Sequence, residues 1–116
     1  MKIKSKKSFW FEAAHKLPNN VGSEGKLHGH NWVFSVTVEG TLNDRGRIKE
    51  FGEFEQLVRD KIWSELDKDI LNDFLPNPTC ENVAIWIWTQ LKEVFGDAMV
   101  ELELFEDERN SVVIGG

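Results

Sequence analysis

The chain has 116 residues, 41% of them hydrophobic and 29% charged, with a formal net charge of −6 and a pI of about 5.0. That length supports one domain, residues 1–116, with a core of its own. The acidic balance argues against a nucleic-acid or anionic-membrane surface, which needs a basic face.

The single cysteine, Cys80, leaves no internal disulfide and fits a reducing, cytoplasmic setting. No apolar run reaches membrane-spanning length and none follows the basic start Met1-Lys2-Ile3-Lys4, so a soluble domain without a secretory leader is expected. Residues 2–14 alternate in period two: Ile3, Phe9, Phe11 and Ala13 share a side with His15. Lys2, Lys4, Lys6, Ser8 and Glu12 take the other side, with Trp10 the exception, and the stretch reads as a strand. Residues 16–27 carry Pro18, Asn19, Asn20, Gly22 and Gly25 and read as a loop that walls whatever His28 belongs to. A second strand is expected over 31–42, with Trp32, Phe34, Val36 and Val38 on one face. The turn Asn43-Asp44-Arg45-Gly46 then leads to a short return segment over 47–51.

Phe54, Leu57, Val58, Ile62 and Leu66 stand at helical spacing and predict a helix over 53–66. A linker over 67–78 ends at Thr79, a good N-cap, and a second helix follows over 80–95, with Gly96 where a C-terminal glycine belongs. Val83, Ala84, Ile87, Trp88 and Leu91 form its stripe. A third strand places Val100, Leu102 and Leu104 on one face, and Glu106 continues that face. After a charged turn, residues 111–114 are a last strand. The order ββααββ is that of an α+β domain with a four-stranded antiparallel sheet and two helices on one face. Two open edges in so small a sheet favour association of sheets between copies.

The chemistry is concentrated in His15, His28 and His30, which are all the histidines of the chain. Residues two apart in a strand point to one side at roughly 6.5–7 Å spacing, so His28 and His30 can converge across Gly29. His15 ends the neighbouring strand and can join them. Three neutral imidazoles with an open position form the donor set of a catalytic zinc site. Ordinary half-buried histidines at strand ends are the other reading of the same residues.

Several stretches together resemble the 6-pyruvoyl-tetrahydropterin synthase and 6-carboxy-tetrahydropterin synthase family: Phe11-Glu12-Ala13-Ala14-His15, His28-Gly29-His30-Asn31, Leu66-Asp67 with Leu71-Asn72, Pro78-Thr79-Cys80-Glu81-Asn82-Val83-Ala84, and Glu106. The resemblance runs the length of the chain. It implies the tunnelling fold, in which sheets of several subunits join into a barrel, as a homotrimer or homohexamer with sites between subunits. It also implies Zn2+ on His15, His28 and His30, and a pterin triphosphate substrate anchored by Glu106 with Thr79 and Cys80 beside it. A carboxylate can accept two parallel hydrogen bonds from the N–H and NH2 edge of a pterin.

Two positions depart from the family pattern. The usual cysteine before the histidine pair is absent from Ser23–Leu27, where Glu24 stands, and the aspartate-histidine pair is Asp67-Lys68. Glu24 is then the candidate general base, Asp67 and Lys68 are its candidate catalytic companions, and Lys16, Lys26 or Lys68 could meet the phosphates. A glutamate-for-cysteine branch of the family resembles this chain. It cleaves the side chain of 7,8-dihydroneopterin triphosphate by a retro-aldol step to 6-hydroxymethyl-7,8-dihydropterin. The alternatives are 6-pyruvoyl- or 6-carboxy-tetrahydropterin synthase activity on the same substrate, and a non-catalytic pterin- and zinc-binding module.

Overall fold

A computed structural model describes residues 1–18, 22–48, 51–67 and 70–115, without the side chains of 23, 24, 51 and 52. Four strands, β1 (Ile3–His15), β2 (His28–Gly40), β3 (Met99–Phe105) and β4 (Ser111–Gly115), form one antiparallel sheet in the order β1-β2-β3-β4. β1 and β2 pair along their whole length, from Ile3↔Gly40 to His15↔His28. β3 accompanies β2 only between Val33 and Val38. The sheet therefore narrows to two strands at the end that carries the histidines.

β2 starts at His28 rather than at 31 and stops at Gly40 rather than at 42, because β1 offers partners over that span and no further. The expected return segment over 47–51 is not a strand where it is described: Arg47 and Ile48 lie outside any ladder, Phe51 begins the first helix, and 49–50 lie outside the described residues.

Alternation along the strands puts Phe9, Phe11 and Ala13, Trp32, Phe34, Val36 and Val38, and Leu102 and Leu104 on the buried face. Phe9 stacks on Phe34 at 5.3 Å, and Phe11 on Trp32 at 5.7 Å. Met99 is buried and Val100 is not in the core, the reverse of simple alternation. A register shift between Thr37 and Val38 pairs Thr37 with Glu101 and Val38 with Met99, so a bulge turns Met99 inward.

The first helix runs through Phe51–Val58, a π-helical turn Arg59–Trp63, and Ser64–Leu66. Phe54, Val58, Ile62 and Leu66, each four residues on from the last, are all within 1% of full burial. Twelve residues of ideal α-helix would rotate such a row by about 120°, and a wider turn takes up part of that drift. The second helix, Cys80–Phe95, is capped by Thr79, whose side chain accepts the Asn82 N–H, and ends at Gly96 with φ of +56°. It buries Val83, Ala84, Ile87, Leu91 and Phe95 against the sheet. On its flank Trp86 meets Phe74 at 5.6 Å, while Ile85 stays 54% exposed. Among the described residues no helix is long and apolar enough to cross a membrane.

Phe34 sits fully buried between Phe9, Phe11 and the helices. Phe34→Ala is expected to lower unfolding free energy by about 3–5 kcal/mol, read as a drop in urea midpoint at unchanged slope.

Candidate metal centre

The β1–β2 register sets His15 directly opposite His28, and Ala13 opposite His30, all on the core face. The ring centroids lie 4.6 Å (His15–His28), 4.8 Å (His28–His30) and 5.2 Å (His15–His30) apart. Trp32 forms the floor, 5.1 Å from His15 and 5.6 Å from His30, with its indole N–H donating to the Ala13 carbonyl at 3.3 Å.

His15 is fully buried, and its Nδ1 is 2.7 Å from the Pro78 carbonyl oxygen. His28 Nδ1 is 2.7 Å from the Lys26 carbonyl oxygen. A carbonyl oxygen can only accept, so each Nδ1 carries the hydrogen and each neutral ring keeps its lone pair on Nε2. This is the orienting pattern of metal-bound imidazole.

Glu106 stands within the same cluster. Its Oε1 is 3.2 Å from His30 Nε2 and 3.3 Å from His15 Nε2. Both nitrogens are buried without a hydrogen-bond partner, and one ligand atom from each of the four residues falls within 4.8 Å of every other. A buried lone pair such as that of His15 Nε2, aimed at a carboxylate, is costly unless a cation stands between the two. These donors fit a divalent ion such as zinc, for which histidine and carboxylate are usual ligands. Burial holds the His30 pKa below its ordinary 6.5; Glu106 pulls it up, and His15 and His28 push it further down.

Thr79, expected beside the substrate, is engaged as the helix cap at 3.1 Å from Asn82 N. Cys80 is buried, with its Sγ 3.7 Å from the Leu104 carbonyl oxygen. Burial and the nearby Glu106 and Glu81 carboxylates push its pKa up to about 12, so it is a thiol at neutral pH and not a nucleophile. Asp67 is outside the four-residue cluster: its Oδ1 accepts the Glu12 N–H at 3.0 Å. Asn72 clamps Lys16 through both its backbone N–H and its carbonyl, at 2.9 Å each. Glu24 falls in the 3-10 turn Gly22–Gly25 before β2, but its side chain, like the whole of Lys68, lies outside the described residues.

Sequence reasoning missed the Pro78 and Lys26 carbonyls, the Trp32 floor and the tethers from Asp67 and Asn72. Only the parity of Trp32 with His28 and His30 could have pointed to one of them. A cleft of about 360 Å3 opens beside the cluster, lined by Glu12, Ala13, Ala14, Gly29, His30 and Asn31.

The sequence model of the family described as 6-pyruvoyl tetrahydropterin synthase matches residues 4–116. The chain belongs to this family. A dihydroneopterin monophosphate aldolase of Pyrococcus furiosus is 37% identical over 98 residues, covering 83% of this chain and 82% of its own. A 6-carboxy-5,6,7,8-tetrahydropterin synthase of Synechocystis is 33% identical over 107 residues, covering 86% and 83%. The solved structure of Caenorhabditis elegans 6-pyruvoyl tetrahydropterin synthase superposes with a TM-score of 0.88 at 20% identity, over 100% of this chain and 96% of the other. Its likeness places the chain in the fold of that family.

Because the His30 pKa is lowered on folding, the unfolded chain takes up the proton first as pH falls. The metal-free protein should hold its full stability above about pH 6.5 and lose part of it as the pH drops through and below that value. Urea midpoints at pH 7.5, 6.5 and 5.5 would read this. His15→Ala should abolish stoichiometric zinc binding, measured by metal analysis after gel filtration, since it removes one of three imidazole donors.

Proposed function

We propose that this family member is a zinc-dependent lyase that shortens the side chain of 7,8-dihydroneopterin triphosphate by retro-aldol cleavage. The observation that carries the reading is the convergence of His15, His28 and His30 on one point, in a chain with Glu24 where the family pattern has a cysteine. The Pyrococcus furiosus relative, named an aldolase, supports the choice among family activities. A glutamate is also named as a catalytic residue in a Plasmodium vivax neighbour of the same fold.

A divalent ion on the three imidazoles would supply Lewis-acid polarisation of side-chain oxygens. The protein's part is positioning and proton transfer. Glu24 takes the proton from the 2′-hydroxyl, the 1′–2′ carbon bond breaks, and its electron pair passes into the pterin ring as an enamine. Reprotonation at C1′ gives 6-hydroxymethyl-7,8-dihydropterin, and C2′ departs as the aldehyde of a phosphorylated two-carbon fragment. Glu106 accepts the N–H and NH2 edge of the pterin, with Thr79 and Cys80 at the helix start alongside. Lys68, Lys16 and Lys26 supply positive charge to the phosphates. Asp67 acts as a positioning residue, tying β1, which ends on His15, to the segment that leads to Lys68.

The working unit in this reading is a homotrimer or homohexamer whose sheets close a barrel. Trp10, Val33 and Phe105 form a row across the outer sheet face, with Trp10 62% and Val33 37% exposed. β1 and β4 are the outermost strands, β1 being engaged near His15 by Asp67, Ile70 and Asn72. Such a face and such edges gain by meeting another copy.

The test is to incubate zinc-loaded protein with 7,8-dihydroneopterin triphosphate, and separately with the monophosphate, and identify the pterin by mass. A 6-hydroxymethyl product is expected. A 6-carboxy or 6-pyruvoyl product would replace this reading with a sibling synthase, and binding without turnover would leave a pterin-binding module. Glu24→Gln should lower the turnover rate by about 10²-fold or more with zinc content unchanged.

A further inference from the structure

We propose that Glu106 is the fourth ligand of the metal centre in the substrate-free protein, and that a ligand reaching the metal must first displace it. The inference rests on the metal reading above and deepens it.

Three observations carry it. Glu106 Oε1 lies 3.2 Å from His30 Nε2 and 3.3 Å from His15 Nε2. In a tetrahedral site with bonds of about 2.0–2.1 Å, neighbouring donor atoms are roughly 3.3 Å apart. The carboxylate oxygen thus already stands at a ligand's distance from two of the imidazole donors. Second, His15 Nε2 has no hydrogen to offer in the neutral ring, because Nδ1 carries it toward Pro78. The contact is therefore lone pair against lone pair and calls for a cation between them. Third, the carboxylate completes a donor set that three imidazoles leave open. It also reduces the net charge of a bound dication from +2 to +1 in a site where His15 is fully buried and Glu106 is 23% exposed.

The same residue is built to move only at its side chain. Its backbone N–H donates to the Asn110 carbonyl at 3.0 Å. Asp107 Oδ1 closes the turn by accepting from the Arg109 and Asn110 N–H groups at 2.8 and 2.9 Å. β3 ends at Phe105 and this turn holds the backbone of Glu106, so displacement of its carboxylate is a rotation of the side chain. Leaving the ion removes its negative charge and exposes one coordination position together. Glu106 then becomes available to hydrogen-bond the incoming molecule, and metal access and substrate capture depend on one carboxylate.

The test uses Co2+ as a spectroscopic stand-in for zinc in full-length wild type, Glu106→Gln and Glu106→Asp, without substrate. Affinity is read by competition with a chromophoric chelator, and coordination by the visible absorption bands. Thiocyanate serves as the probe ligand. The proposal expects wild type to bind Co2+ at least tenfold more tightly than Glu106→Gln. It also expects millimolar thiocyanate to change the bands of Glu106→Gln while leaving those of wild type as they are. Glu106→Asp, which keeps the charge but shortens the reach, should fall between. Equal Co2+ affinity and identical bands in wild type and Glu106→Gln would overturn the proposal and leave the three-histidine site intact. A thiocyanate response in wild type that saturates within the same millimolar range would overturn it as well, and needs no variant to fold. Wild type that binds no Co2+ would remove the metal reading itself.

Discussion

The pairing of β1 with β2 is the constraint from which the site follows. With His15 set against His28, the period-two alternation of both strands puts three imidazoles on the core face at one end of the sheet. A slip of one residue would turn either strand's histidines to the outer face. The long apolar rows of Phe9, Phe11, Trp32 and Phe34 prevent that slip, because it would also expose them. Packing thus fixes chemistry: the residues that make the core are the ones that aim the ligands.

Around the cluster, the chain arranges its backbone as a second layer. The Pro78 carbonyl is held where it can orient His15 because Thr79 and Asn82 build a capped helix start. Asn82 Nδ2 donates to the Asn77 carbonyl at 2.8 Å, and Thr79 N–H to the same oxygen at 2.9 Å. The helix therefore serves twice, covering the sheet with its apolar stripe and aligning an imidazole with the loop at its start. Cys80, next in the chain, is kept a neutral thiol by its burial.

Much of this was legible in the sequence, for a physical reason. Strand alternation is local, so His15, His28 and His30 could be placed on one face, and Glu106 on the face of Leu102 and Leu104. The cap at Thr79 and the stop at Gly96 are signals within one turn of the helix they bound. What could not be read are contacts between distant segments. His15 reaches Pro78 across 63 positions and Glu12 reaches Asp67 across 55, and neither partner advertises itself by residue type. The inward turn of Met99 depends on a bulge that exists only once β2 and β3 have paired. The π-helical turn follows from a four-residue spacing visible in the sequence, yet only packing against the sheet makes that spacing matter.

The narrowing of the sheet has a consequence for how the molecule comes apart. From His28 to Trp32, β2 has β1 beside it and, among the described residues, no strand on its other side. The tethers there include the Asp67 and Asn72 hydrogen bonds, a parallel bridge between Ala14 and Ile70, the His15 contact with the Pro78 carbonyl and the histidine–glutamate cluster itself. An ion at that place would do the work of a missing strand, joining the last rungs of the ladder by their side chains. Stripping it away would loosen the tip of the hairpin while the four-stranded part, with its aromatic stack and two helices, keeps its amides shielded from exchange. Occupancy of the centre and rigidity of the rim around it would rise and fall together.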